Sequence, residues 1–192
     1  MNTIRAFIAV EIDDQAKQKI LELISDLKKS NADAKWITEN QMHLTLKFLG
    51  NIDGVKVQEI SNAISDISNN FSSFTINLSK IGAFPSMNHP RVIWLGVDKG
   101  AESLIKLDTE AGNSMERIGI AKEGRAFKPH LTLARIKSSK NILDLIKLIK
   151  KKEMDFDSGN DIKINKLVLF KSTLNPKGAI YTPLATYLLS TK

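Results

Sequence analysis

The sequence predicts an α+β protein built as two duplicated, pseudo-symmetric lobes with largely antiparallel sheets. Three observations predict it. Strands and helices fall into two comparable sets, each reading strand, helix, histidine-bearing strand, helix, strand. The tetrapeptide His43-Leu44-Thr45-Leu46 returns unchanged as His130-Leu131-Thr132-Leu133. Neighbouring strands are joined by hairpin-length turns, and no Pro- or Gly-rich linker divides the chain, so one bilobal domain of two intertwined lobes, each carrying one copy of the repeat, is expected over residues 1–192.

Residues 6–12 run apolar like a strand. Asp13 or Asp14 then offers an N-cap to a helix with Ala16, Ile20, Leu23, Ile24 and Leu27 at helical spacing. After a polar turn at 31–34 come short strands at 35–38 and 42–49, the second closed by Gly50 and Asn51. Asp53 caps a helix whose apolar stripe is Ile60, Ala63, Ile64 and Ile67, and 74–81 is the next strand. The second set opens with a strand at 91–97 and a helix bearing Leu104, Leu107, Ala111, Met115 and Ile118. Residues 130–136 form a strand with Pro129 at its edge, since proline cannot donate to a ladder. Asn141 caps a helix through Ile142, Ile146 and Ile149. Strands at 162–170 and 179–189 finish the chain, joined through the turn signal Asn175-Pro176-Lys177-Gly178.

At 192 residues the chain can bury a core without staples, and with no cysteine it has neither disulfides, thiolate metal sites nor a cysteine nucleophile. A polar Met1-Asn2-Thr3 start and the early acids Glu11, Asp13 and Asp14 leave no room for a signal peptide, and no membrane span can be drawn; a cytoplasmic protein is expected. The net charge of +7 and pI of about 9.5 favour an anionic partner. Lys147, Lys150, Lys151 and Lys152, however, crowd at one helix end, where a solvated face suiting the helix dipole accounts for them as well.

The chemistry lies in the repeat. Two of the chain's three histidines occupy it, and such a tetrapeptide arises by chance in on the order of one chain in several hundred, so two copies call for duplication or shared function. Along a strand successive side chains alternate, which places His43, Thr45 and Lys47 on one face and Leu44, Leu46 and Phe48 on the other. A lone strand histidine is commonly a packed residue bonded to a neighbour. A packing role gives no reason for the same polar pair to recur in both halves, whereas a two-sided reaction needs one group on each side. If the lobes face each other, both pairs meet in the cleft. Two histidines without cysteines or a carboxylate cluster fall short of a zinc site, so neither metal nor cofactor is expected. Two imidazoles suit in-line displacement at phosphorus: one neutral ring takes a proton from the attacking water or hydroxyl, and the other, protonated, gives one to the leaving oxygen. The Thr45 and Thr132 hydroxyls can hold the non-bridging oxygens.

These residues resemble the 2H phosphoesterase superfamily, defined by two His-x-Thr/Ser motifs, and within it the RNA 2′,3′-cyclic phosphodiesterases (ThpR or LigT), also called 2′-5′ RNA ligases. The resemblance covers nearly the whole chain. It rests on Arg5-Ala6-Phe7-Ile8-Ala9, on His43 to Gly50, on Gly82-Ala83-Phe84-Pro85 and on Arg91-Val92-Ile93-Trp94. It continues through Pro129-His130-Leu131-Thr132-Leu133-Ala134-Arg135 and Lys171 to Gly178. It implies two antiparallel sheets forming a V-shaped groove lined by the motifs. It also implies metal-independent hydrolysis of RNA 2′,3′-cyclic phosphate ends, such as those of tRNA fragments, to 2′-phosphomonoesters. Reversible, ATP-independent 2′-5′ joining of RNA would accompany it. His43 would be proton donor and His130 acceptor, although the motifs themselves name the pair and leave the roles open. A monomer is the default.

Around the motifs, Arg135 shares parity with Leu131 and Leu133, so it either snorkels at the strand end or turns into the groove to meet phosphate. Phe84 and Phe127 either stack on a base or pack. Arg91 and Tyr181 are further candidates for substrate contact, and His89, in a Met-Asn-His-Pro loop, reads as a surface residue. An ATP-dependent ligase is disfavoured, because the chain has neither a Gly-x-x-x-x-Gly-Lys phosphate loop nor a Lys-x-Asp-Gly. Two other readings stand beside the main one: a 2H enzyme for another cyclic phosphate, and a non-catalytic RNA-binding module.

Overall fold

The computed structural model of the chain describes residues 3–153, 161–176 and 178–191. Its elements are β1 (Thr3–Val10), α1 (Asp14–Lys28), β2 (Ala34–Trp36), β3 (Leu44–Asp53), α2 (Val57–Asn70), β4 (Phe74–Ile76), β5 (Leu78–Ser86) and β6 (His89–Val97). They are followed by α3 (Ala101–Arg117), β7 (His130–Ile136), α4 (Ile142–Glu153), β8 (Ile162–Ile164), β9 (Lys166–Asn175) and β10 (Gly178–Leu188). Two four-stranded sheets, ordered β10-β9-β1-β3 and β2-β7-β6-β5, form the frame, and β4 pairs with β8 apart from them. All strand pairs within these sheets are antiparallel.

The helices form where amphipathic spacing and caps coincide. Asp13 Oδ1 accepts the Ala16 amide at 2.8 Å and starts α1, whose Ala16, Ile20, Leu23, Ile24 and Leu27 are all buried. Asp53 accepts the Val55 amide at 3.2 Å, opening a short 3₁₀ turn that leads into α2. Ile60, Ile64 and Ile67 of α2 and Leu104, Leu107, Ala111 and Met115 of α3 are likewise buried. These stripes and the inner faces of both sheets make one continuous core, running from Ile8 and Leu44 through Ile93, Leu131 and Leu133 to Ile149. No helix among the described residues is long and apolar enough to cross a membrane.

Several sequence expectations are corrected. The strand expected at 74–81 is two strands in different sheets, separated at Asn77, whose amide and carbonyl bond Lys99 and Asp98 instead. Gly50 does not close β3; at φ +69° it carries the strand onward to Asp53. His89 is not in a loop, since it begins β6 opposite Ser86 of β5. Asn141 sits at φ +55° ahead of α4, and its side-chain amide donates to Asn31 O at 3.0 Å. Ile118 is only half-buried, at the end of α3. In the turn at 175–178, Lys177 lies outside the described residues, as do Met1 and Asn2 of the polar start. The sheets also mix the halves of the chain: β2 joins the sheet of β5, β6 and β7, while β9 and β10 return to the sheet of β1 and β3.

Candidate active site

The motif strands differ in place but share a local irregularity. β3 is an edge strand and β7 an interior one. Between the pairs Ala9↔Thr45 and Ile8↔Lys47 the register slips by one residue, leaving Leu46 as the extra residue of a bulge. Between Trp94↔Thr132 and Ile93↔Ala134 it slips again, at Leu133. The bulge thus falls three residues after the histidine in both copies, and it reverses the alternation beyond each motif.

That reversal corrects the expected faces. Phe48, expected on the core side, pairs with Phe7 (ring centroids 6.0 Å apart) and is 53% exposed at the groove. Lys47 is buried, and its Nζ donates to Ala121 O at 3.0 Å. Arg135 gains the parity of Thr132 and stands exposed along the groove. Glu123 accepts the Phe48 amide at 3.1 Å, so the segment before β7 covers part of the free edge of β3.

Both His–Thr pairs line one groove of about 1540 Å³ between the sheets. His43 Nε2 lies 3.1 Å from Thr45 Oγ1, and His43 also bonds the backbone of Gln41. His130 Nδ1 lies 2.6 Å from Lys128 O and donates to it. Each histidine therefore leans on the backbone two residues before it. Each is also boxed by aromatic rings. Around His43 stand Phe7 (4.9 Å), Tyr181 (edge-on, 5.1 Å) and Phe170 (5.8 Å); around His130 stand Phe84 (edge-on, 5.0 Å) and Trp94 (6.2 Å). Burial drives the His43 pKa down to about 4 against the opposing pull of the Gln41 hydrogen bond and Glu11. Burial lowers His130 as well, with the Arg135 charge adding to the effect and the Lys128 hydrogen bond opposing it. Burial thus favours the neutral form of both rings in the free protein.

Arg135, Phe84, Phe127, Arg91 and Tyr181, singled out from the sequence, all line the groove. Phe84 packs on Trp94 and faces His130, and Phe127 leans on the core while edging the groove, so packing and access coexist at both. Phe7, Phe170 and Trp94 are site residues that the sequence reading did not single out. The small apolar cluster of Phe7, Ala9, Val168 and Phe170 on the groove face of its sheet is what alternation along β1 and β9 provides. Gly82 is required opposite Trp94, because a methyl group there would overlap the indole. Among the described residues there is no group of three or more His, Cys, Asp or Glu placed to hold a metal ion.

Comparison with known proteins agrees with this geometry. The family described as LigT like phosphoesterase matches twice, over residues 10–94 and 95–181, one motif in each match. A Thermotoga maritima protein named RNA 2′,3′-cyclic phosphodiesterase is 34% identical over 92% of this chain and 91% of its own length. One of the same name from Aquifex aeolicus is 32% identical over 98% and 99%. Among solved structures, a Thermus thermophilus protein superposes with a TM-score of 0.82 at 24% identity, covering 97% of this chain and 98% of that one. E. coli LigT complexed with 3′-AMP superposes with a TM-score of 0.77 at 23% identity, covering 98% and 99%.

Proposed function

Because this chain belongs to the LigT-like phosphoesterase family, we propose that it hydrolyses 2′,3′-cyclic phosphate ends of RNA to 2′-phosphomonoesters through His43 and His130. The observation that carries this reading is the convergence of two identical His–Thr pairs, from different sheets, on one groove. The names of its full-length relatives support the substrate class.

In this mechanism a water oxygen bonds to phosphorus as the bond from phosphorus to O3′ breaks. His130 takes the proton of the water. Its Nδ1–H is held by Lys128 O, which leaves Nε2 of the neutral ring as the acceptor. His43, protonated, gives its proton to O3′, following the roles the family resemblance implies. Thr45 and Thr132 hold the non-bridging oxygens as charge builds there. Arg135, beside His130, draws the anion in, while Arg91, Phe84, Phe127 and Tyr181 form the walls against which the nucleotide rests. A 5′-hydroxyl replacing water gives a 2′-5′ linkage with no need for ATP, and the step is reversible. The reading takes residues 1–192 as a single bilobal unit, acting as a monomer in the cytoplasm, with tRNA fragments among its candidate substrates.

Burial of both histidines, which favours their neutral forms, shapes the pH profile. The acid must be protonated and the base not, so kcat/KM is greatest between the two lowered pKa values, on the acidic side of neutrality. The direct test is to incubate the protein in EDTA, without ATP, with an oligoribonucleotide ending in a 2′,3′-cyclic phosphate and to locate the product phosphate. A 2′-phosphate is expected; a 3′-phosphate, or an untouched end, refutes the assignment.

A further inference from the structure

Beyond Thr132 the groove face of the β7 sheet carries a row of side chains set by register. Lys35 of β2 pairs with Arg135 of β7, Arg135 with Val92 of β6, and Val92 with Phe84 of β5. Directly opposed residues share a face with Cβ atoms about 4.5–5.5 Å apart, and like charges so placed repel. None of the ion pairs formed among the described residues includes Lys35 or Arg135. Both line the groove with the histidines. On the opposite wall the Lys35 amine rests against Gly178, where a Cβ would lie 2.5 Å from Nζ. The ammonium therefore stands at a narrow part of the groove, where Gly178 of β10 approaches.

Like charges opposed on one face repel, and an anion lying between them would relieve that repulsion. The row lies two strand positions from the Trp94–Thr132 pair, about 7 Å along β6. That is the scale of one nucleotide step from the phosphate held at His130 and Thr132.

We propose that Lys35, together with Arg135, forms a second phosphate subsite that receives the internucleotide phosphate next to the cyclic end, making Lys35 a specificity residue for oligonucleotide over mononucleotide substrates. This deepens the phosphodiesterase reading and rests on it. The Arg135 charge is already felt at His130, so the two subsites lie within electrostatic reach of each other.

The test compares wild type, Lys35→Ala and Lys35→Arg on three substrates. These are a nucleoside 2′,3′-cyclic phosphate, a dinucleotide ending in the same cyclic phosphate, and that dinucleotide with an uncharged methylphosphonate linkage. The expected result is a fall of about tenfold in the dinucleotide-to-mononucleotide ratio of kcat/KM for Lys35→Ala, expressed in KM, with recovery in Lys35→Arg. The methylphosphonate should give wild type the ratio of Lys35→Ala. A ratio that Lys35→Ala leaves unchanged, or an equal loss of kcat on all substrates, overturns the proposal. If wild type opens none of them, the phosphodiesterase reading fails. Calorimetric binding of a 2′-phosphorylated dinucleotide and a 2′-phosphorylated nucleoside then decides the subsite: selective loss of dinucleotide affinity in Lys35→Ala supports it, and equal affinities refute it.

Discussion

The two motif strands are alike up to the bulge and unlike beyond it. In both, a histidine bonds the backbone two residues earlier, a threonine follows on the groove face, and the second leucine forms a bulge buried in the core. The copies part directly after the repeat, at Lys47 and Ala134, and five residues after each histidine the difference reaches the groove, with Phe48 in β3 and Arg135 in β7. Phe48 adds to an apolar wall with Phe7, Phe170 and Tyr181. Arg135 stands beside Lys35, on the same sheet as Arg91. A reaction that needs two proton-transfer groups retains both copies, while binding an asymmetric substrate requires the walls to differ. On the proposed function the basic side would take the phosphates and the apolar side the less polar part of the nucleotide, which would give the groove a direction.

The shared part of the comparison carries the largest effects. His43→Ala and His130→Ala should each lower kcat by about 10²–10⁴-fold, measured as steady-state opening of a cyclic-phosphate oligonucleotide, with circular dichroism unchanged. Losses in one variant alone would break the equivalence of the two halves.

The unlike part comes next. Arg135→Ala should lower kcat/KM by about 10–100-fold, the worth of a hydrogen bond to a charged group. Phe48→Ala should cost less and should not alter the salt dependence that Arg135→Ala weakens. Equal losses would remove the direction assigned to the groove.

A smaller effect sharpens the contrast between the histidines themselves. In a proton NMR titration of the free protein, His43 should titrate near pH 4 and His130 below its ordinary value of 6.5. Unfolded histidine takes up a proton near 6.5, so the native state, holding these rings neutral, loses stability as pH falls from about 6.5 towards 4. Denaturant titration of His43→Ala across that window should show a shallower fall than wild type.

Much of this was legible in sequence, for physical reasons that also mark where legibility stops. Asp13, the spacing of Ile20, Leu23, Ile24 and Leu27, and the repeated His-Leu-Thr-Leu are local signals, and each stands in the structure where its period placed it. Strand alternation predicted His43 with Thr45 and failed one residue past Leu46, because a bulge is set by cross-strand register with β1 rather than by β3 itself. A lysine inside the run Leu46, Lys47, Phe48, Leu49 is the one local trace of that break. The exchange of β2 and of β9–β10 between the sheets has no local trace at all, since strand partners are chosen over long range. For the same reason nothing local marks Lys35, whose place in the groove depends on β2 lying beside β7.

Whether one reaction is shared between the two duplicated halves is read out by a double-variant cycle. Opening of a 2′,3′-cyclic-phosphate oligonucleotide would be followed in EDTA for His43→Ala, His130→Ala and the variant carrying both. Groups that act as one unit are strongly non-additive, so the double variant should be about as slow as the slower single one. Losses that multiply, or a double variant that keeps wild-type activity, would contradict a shared two-histidine mechanism.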